Sequence, residues 1–306
     1  MFLRVVRRYA TAATANHSQQ PLELCRNMVR ERDYASFLGG QACPANLRDA
    51  FFALRAFTIE LASVPEMVSN PTLGKMRYQF WRDAIKQVYE DIPPQHPIAL
   101  GLHHAVRVVG RVPAYHLKRI VDARDEDLSR TSYMTTDDLT SLTESTSSSL
   151  LYAQLALLSL SESDQLAHAA SHVGVASGLA TLLRAMPFHT SQRRMILPVD
   201  LTAQHGVSQE DVFRHGPDAK GVSDAVFALA TVANDHLLTA RDMFKDSSSG
   251  GIPERAIPVL SAAAVPATLY LQKLEAANFN AFAPQLQGRD WKLAWRMWRS
   301  LRTRTI

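Results

Sequence analysis

Apolar residues recur at three- and four-residue steps through almost the whole chain, and this periodicity constrains the fold more than any other feature. Residues 222 to 244 show it clearly: Val222, Val226, Leu229, Val232, Leu237, Ala240 and Phe244 fall on one face of a helix. Similar stripes run through 22–37, 45–64, 72–90, 97–109, 115–129, 136–160 and 163–185. No alternating stretch of strand length competes with them. The breaks fall at Pro93-Pro94, Pro113, Pro187, Pro198, Gly216-Pro217 and Ser247 through Pro253. Pro258 and Pro266 are expected to kink or split the helix that contains them. No internal repeat appears. The simplest expectation is an all-α, single-domain bundle of about ten helices around a central space.

The ends of the chain carry the charge argument. Arg4, Arg7 and Arg8 stand in a stretch of Ser, Thr and Ala, and no acid precedes Glu23. A basic, acid-free, hydroxyl-rich start reads as a mitochondrial import signal over residues 1–20; the alternative is an ordinary basic tail. The net charge is +4, and without the first ten residues it falls to +1. The basic balance therefore speaks for import and not for a nucleic-acid partner, which would need clustered cations on the folded domain. Cys25 and Cys43 are the only cysteines. They cannot build a disulfide framework or a four-cysteine zinc site, and they suit a reducing compartment such as the matrix. No run approaches the ~18 consecutive apolar residues of a membrane span. Membrane association is expected to be peripheral.

Three stretches point to a family. The first is Phe51-Phe52-Ala53-Leu54-Arg55-Ala56-Phe57-Thr58-Ile59-Glu60-Leu61-Ala62. The second is Met76-Arg77-Tyr78-Gln79-Phe80-Trp81-Arg82-Asp83-Ala84-Ile85. The third runs from Gly174 to Ala185 and continues through Arg193-Arg194-Met195-Ile196-Leu197-Pro198-Val199-Asp200 to His205-Gly206-Val207. In order and spacing they resemble the squalene/phytoene synthase family. The likeness covers most of the chain after residue 25, and the second stretch is its most specific part. It implies an isoprenoid-synthase-like helical bundle over residues 21–287, surrounding a central cavity.

Members of that family join prenyl diphosphates with Mg²⁺, a hard cation that takes carboxylate and phosphate oxygens. Aspartates four apart on a helix would point the same way toward the metal. On the family pattern, this chain has Thr58, Ile59 and Ala62 at the first aspartate motif, with Glu60 out of phase. At the second motif Thr181 replaces the asparagine, and Ala185 and His189 replace aspartates. The resemblance therefore implies a scaffold without its metal shells: no catalytic residue, no metal and no cofactor. Arg55, Arg77 and Arg184 lie near the diphosphate region on the family pattern. They could bind an anion without metal, or pair internally with Glu60 and other acids.

Other candidates read as structural. Asp122, Asp125, Glu126 and Asp127 are expected to be a solvated helix terminus. Asp83 is expected to serve packing. His168 and His172 have zinc-compatible spacing, but no third ligand stands at a recognisable distance. Ser147-Ser148-Ser149 lacks a nucleophile elbow, and there is no P-loop or dinucleotide fingerprint.

The last segment, 288–306, reads as a basic, Trp-rich amphipathic helix. Trp291, Trp295 and Trp298 share a stripe with Leu301, and Lys292, Arg296, Arg299, Arg302 and Arg304 occupy other faces. Such a helix suits a membrane headgroup boundary or a partner. It would equally suit tryptophans packed into the core.

Within the family, the missing aspartates and the import signal resemble a mitochondrial branch that serves respiratory complex I. That likeness implies a non-catalytic matrix protein, peripheral on the inner membrane, acting on complex I subunits or assembly intermediates. A residual prenyltransferase and a lipid or isoprenoid carrier stay open as alternatives. A cavity filled by Ile59 and its neighbours would exclude a long ligand.

Overall fold

The computed structural model describes residues 20–109, 112–245, 251–288 and 290–306. The three N-terminal arginines, and with them the import signal apart from residue 20, lie outside the described residues.

The fold is all-helical, with no strand among the described residues. Helix α1 spans 20–32. It is followed by α2 (Tyr34–Gln41), α3 (Arg48–Met67), α4 (Pro71–Tyr89), α5 (Pro97–Val109) and α6 (Ala114–Leu128). Next come α7 (Thr136–Thr143), a π-helical turn at Glu144–Ser148, α8 (Ser149–Leu157), α9 (Asp164–Arg184) and α10 (Met186–Ser191). The chain ends through α11 (Val199–Gln204), α12 (Gln209–His215), α13 (Val222–Asp242), α14 (Ile257–Ala276) and α15 (Leu293–Thr303).

Local chemistry sets these boundaries. Asn70 caps α4 by accepting from the Leu73 amide, with Pro71 at the first helical position. Thr135 and Asp138 form a reciprocal capping box on α7. Asp33 accepts from the Ser36 amide and so starts α2. The stripe expected over 22–37 is therefore two helices rather than one. The expected split at the prolines does not occur. Pro258 sits in the first turn of α14, where its missing N–H costs nothing, and α14 runs on past Pro266.

The core is contiguous from α1 to α14. α9 and α14 are long and apolar enough to cross a membrane, but most of each is buried inside the bundle. Helices buried all round lose their single polar face. α3 contributes Phe51, Phe52, Leu54 and Phe57. The Met76–Ile85 stretch is explained by packing. Trp81 is 2 % exposed and meets Phe57 edge-on at 5.3 Å and His96 at 5.1 Å. Arg82 ties α4 to α6 through Asp122 and Asp125, each at 2.7 Å. Asp83 accepts from Gln79 on the same helix.

α9 presses against the π-helical turn. A Cβ on Gly174 would stand 2.2 Å from Ser148 Oγ, and one on Gly178 would stand 2.6 Å from Thr143 Cβ. Glycine at these two positions is what lets the helices approach. The same approach aims the next turn of α9 at the centre of the bundle.

Candidate functional site

A cavity of about 630 Å³ opens in the middle of the bundle. α3 lines it with Arg55, Thr58, Ile59 and Ala62, and α9 lines it with Thr181 and Arg184 and with its cap residue Ala185. Steps of three and four residues place each set on one helix face. His189 of α10, Arg124 and Asp127 of α6, and Arg194 complete the polar part of the wall. Tyr270 and its neighbours on α14 supply a mostly apolar side. Ile59 lines the cavity without filling it, so the closed form considered from sequence is not what the chain adopts.

Two of the cations on this wall, Arg55 and Arg194, are held in ion pairs. Arg55 donates to Asp33, the cap residue of α2. Burial pushes the Asp33 carboxyl up, but Arg55 and the Ser36 contacts overcome this and hold it below the usual carboxylate range. Arg194 donates to Asp127 at 2.7 Å and to the Tyr133 hydroxyl at 3.0 Å, and Tyr133 donates to Asp127 at 2.6 Å. Asp127 is 8 % exposed. The expectation of a solvated acidic terminus holds for Asp122 and Glu126, which are exposed, and is corrected for Asp127, buried in a triad, and for Asp125, which with Asp122 holds Arg82. Burial, together with the charges of Arg194 and Arg124, pushes the His189 imidazole down to about 4, so it is neutral at physiological pH. Arg32 donates to Ser63 at 2.9 Å. Arg124 Nε and Tyr270 Oη are buried without a hydrogen-bond partner.

The three arginines grouped by the sequence do not meet. Arg55 and Arg184 line the cavity, whereas Arg77 is half-exposed on α4 and stands 3.7 Å from Glu60. Glu60, the one acid of the first motif, faces Arg77 and does not line the cavity. Sequence reasoning did not single out Asp33, Arg124, Tyr133 or Arg194. Arg194 and Asp127 stood inside quoted segments. Their pairing spans 67 residues, which no local pattern reveals.

Among the described residues, no three or more His, Cys, Asp or Glu side chains come together in a way that could hold a metal ion. His172 does meet another imidazole, with its Nδ1 lying 2.8 Å from Nδ1 of His236 on α13. Burial lowers both from the usual histidine range.

The C-terminal tryptophans are on the outside. Trp291, Trp295 and Trp298 are 84 %, 52 % and 59 % exposed. The opposite face of α15 carries Met297, packed with Val265 and Leu269 of α14. Ser300 Oγ lies 2.7 Å from Ser261 Oγ. The guanidinium groups of Arg296 and Arg299 lie 5.7 and 5.6 Å from the centre of the Trp295 ring.

A helical bundle closed around a polar-walled cavity is the architecture of the prenyl-synthase class, and the sequence matches the squalene/phytoene synthase family over residues 29–299. The chain belongs to that family. The fold is similar to that of a dehydrosqualene synthase solved with ligand: TM-score 0.78, 14% identity, covering 94% of this chain and 97% of that one. More similar in sequence is the Bos taurus protein named NADH dehydrogenase (ubiquinone) complex I, assembly factor 6, which is 39% identical over 266 residues, 87% of this chain and 77% of the relative. The Drosophila melanogaster homolog of that factor is 36% identical over 290 residues, 92% of this chain and 83% of the relative.

Proposed function

We propose that this chain is a non-catalytic mitochondrial assembly factor for respiratory complex I, built on a prenyl-synthase scaffold that lacks the carboxylates for Mg²⁺-diphosphate chemistry. The observation that carries the reading is its 39% identity, over most of its length, to a protein named as a complex I assembly factor. The cavity chemistry supports it. The positions matching the family's aspartate motifs hold Thr58, Ile59, Ala62, Ala185 and His189, none of them a hard oxygen anion. Asp33 and Asp127 are committed to Arg55 and Arg194. Such a donor set does not fit Mg²⁺, which needs free carboxylate oxygens in octahedral geometry.

The placement that goes with this reading is the matrix, reached through the import signal over residues 1–20, with peripheral attachment to the inner membrane. The domain layout is the scaffold over 21–287 followed by the basic segment 288–306. The partners are complex I subunits or assembly intermediates. Deleting the protein and resolving the respiratory complexes on native gels tests the reading. The expected result is loss of mature complex I, restored both by the wild-type chain and by Glu60→Ala. Mg²⁺-dependent turnover of a prenyl diphosphate by the pure protein would overturn the non-catalytic part.

A second reading has its own support. The cavity is open, and Arg124 Nε and Tyr270 Oη on its wall lack partners. Its volume lies within the range of small-molecule sites, roughly 300–1,000 Å³. A lipid or isoprenoid held without metal would use this space. Native mass spectrometry of the purified protein tests it: a co-purified lipid supports the reading, and a bare mass counts against it.

A further inference from the structure

We propose that the outward face of α15 seats the protein on an anionic phospholipid bilayer. The helix has two faces with opposite chemistry. Leu293, Met297 and Ser300 turn inward against α14 and α2. Trp295, Trp298 and Arg302 fall within an arc of about 60° on the opposite side, and Trp291 stands just before the first turn. The chain has four tryptophans. Trp81 is in the core, and the other three are on this one surface. Large exposed aromatics gathered on one face mark an interaction surface.

Charge decides what covers it. Lys292, Arg296, Arg299 and Arg302 surround the tryptophans, and residues 291–306 contain no acid. Asp290, the nearest acid in sequence, is engaged by Lys273 at 3.2 Å and is largely buried. The cations are already stacked beside the rings: Lys292 lies 5.6 Å from the Trp291 centroid, and Arg296 and Arg299 flank Trp295. Four cations with no acid among them call for an anionic occupant, and an anionic leaflet presents that charge as a continuous layer. Indole rings interleaved with cations suit the headgroup layer, where the ring sits at the boundary and the cation meets phosphate. A bilayer also accommodates a convex single-helix face without a complementary groove. The inference rests on the peripheral placement proposed above, but its test needs no complex I, so either can fail alone.

The full chain would be mixed with phosphatidylcholine vesicles with and without phosphatidylglycerol, and binding read by flotation. The Trp291→Ser/Trp295→Ser/Trp298→Ser variant removes the rings, and Arg296→Gln/Arg299→Gln/Arg302→Gln removes the cations. Both leave Leu293, Met297 and Ser300 in place, and thermal melting checks that each variant folds. The expected result is binding to the anionic vesicles that weakens with salt, and that each variant weakens by more than about tenfold. The wild-type tryptophan emission should shift to the blue and be quenched by brominated lipid. Failure of the wild type to bind anionic vesicles would overturn the proposal. So would binding unchanged in the two variants, which would move the attachment to another surface. Emission unmoved by vesicles would indicate that a partner protein, not lipid, covers this face.

Discussion

Arg55 and Arg194 on the cavity wall and the arginines of the C-terminal helix are treated in opposite ways by the fold. Inside, Arg55 and Arg194 are bound to Asp33 and Asp127, and the charge is spent within the fold. On α15, exposed Arg299 and half-buried Arg296 lie beside the Trp295 ring, with no acid in the segment. The same side chain is architecture in one place and surface chemistry in the other. What separates them is a carboxylate within reach. At Arg55 and Arg194 the cavity wall thus has its charge paired, whereas the segment 291–306 holds no acid to pair the arginines of the outer helix.

Breaking the inner pair should have the largest effect. Arg194→Met leaves Asp127 buried without its cation, and such a loss costs about 3–5 kcal/mol. The urea midpoint should fall accordingly. Arg194→Met combined with Asp127→Asn removes both charges and should recover part of the loss, because the uncompensated carboxylate is gone. If Arg194→Met melts like wild type, the triad with Tyr133 is not holding α6 in place, and the contrast with α15 collapses.

Acid should sharpen the same contrast. His189 has its pKa lowered to about 4, chiefly by burial and then by Arg194. A lowered histidine pKa means the unfolded chain takes the proton first. Its contribution to stability is complete above the ordinary value near 6.5 and drains away as pH falls toward 4. The His172–His236 pair acts with the same sign, because burial lowers both. Melting temperature should therefore decline from pH 7 to pH 5, and His189→Gln should flatten part of that slope. A profile in His189→Gln identical to wild type would remove His189 from the account. Substitutions on the outward face of α15 should leave the slope alone.

Much of the fold was legible because helix periodicity and stop signals are local. The stripe over 163–185 became α9, and Pro71 and Ser163 stand where helices begin. Where the reading failed, a tertiary contact decided. Asp33 divided one expected helix into two because its side chain caps the second. Pro266 did not break α14, whose residues on either side of it, Val265 and Ala267, are buried in the core. The cavity wall was legible only in part. Thr58, Ile59 and Ala62 could be placed on one face by spacing, as could Thr181 and Ala185. The Asp127–Tyr133–Arg194 triad could not, because its partners come from segments 61 and 67 residues apart. Arg77 was grouped with Arg55 by family pattern, yet it belongs to an outward face of α4. The amphipathicity of α15 was readable, but which face turns inward depends on where α14 offers Val265 and Leu269.

The smallest expected effect gives the finest test of the comparison, since it sets two neighbouring residues against each other. Met297 is 2 % exposed against α14, and Trp298 beside it points away. Met297→Ala removes packed volume and should cost about 2–5 kcal/mol. Trp298→Ser removes a larger side chain, but from water, and should change stability by no more than about 0.5 kcal/mol. Size alone would rank the two the other way. If the tryptophan substitution proves the more costly, the ring is bearing on the body of the protein, and α15 holds the fold together with both faces. If it is nearly silent in stability while binding of the chain to anionic vesicles is lost, then the tryptophans are kept for something outside the chain, as the cavity arginines are not.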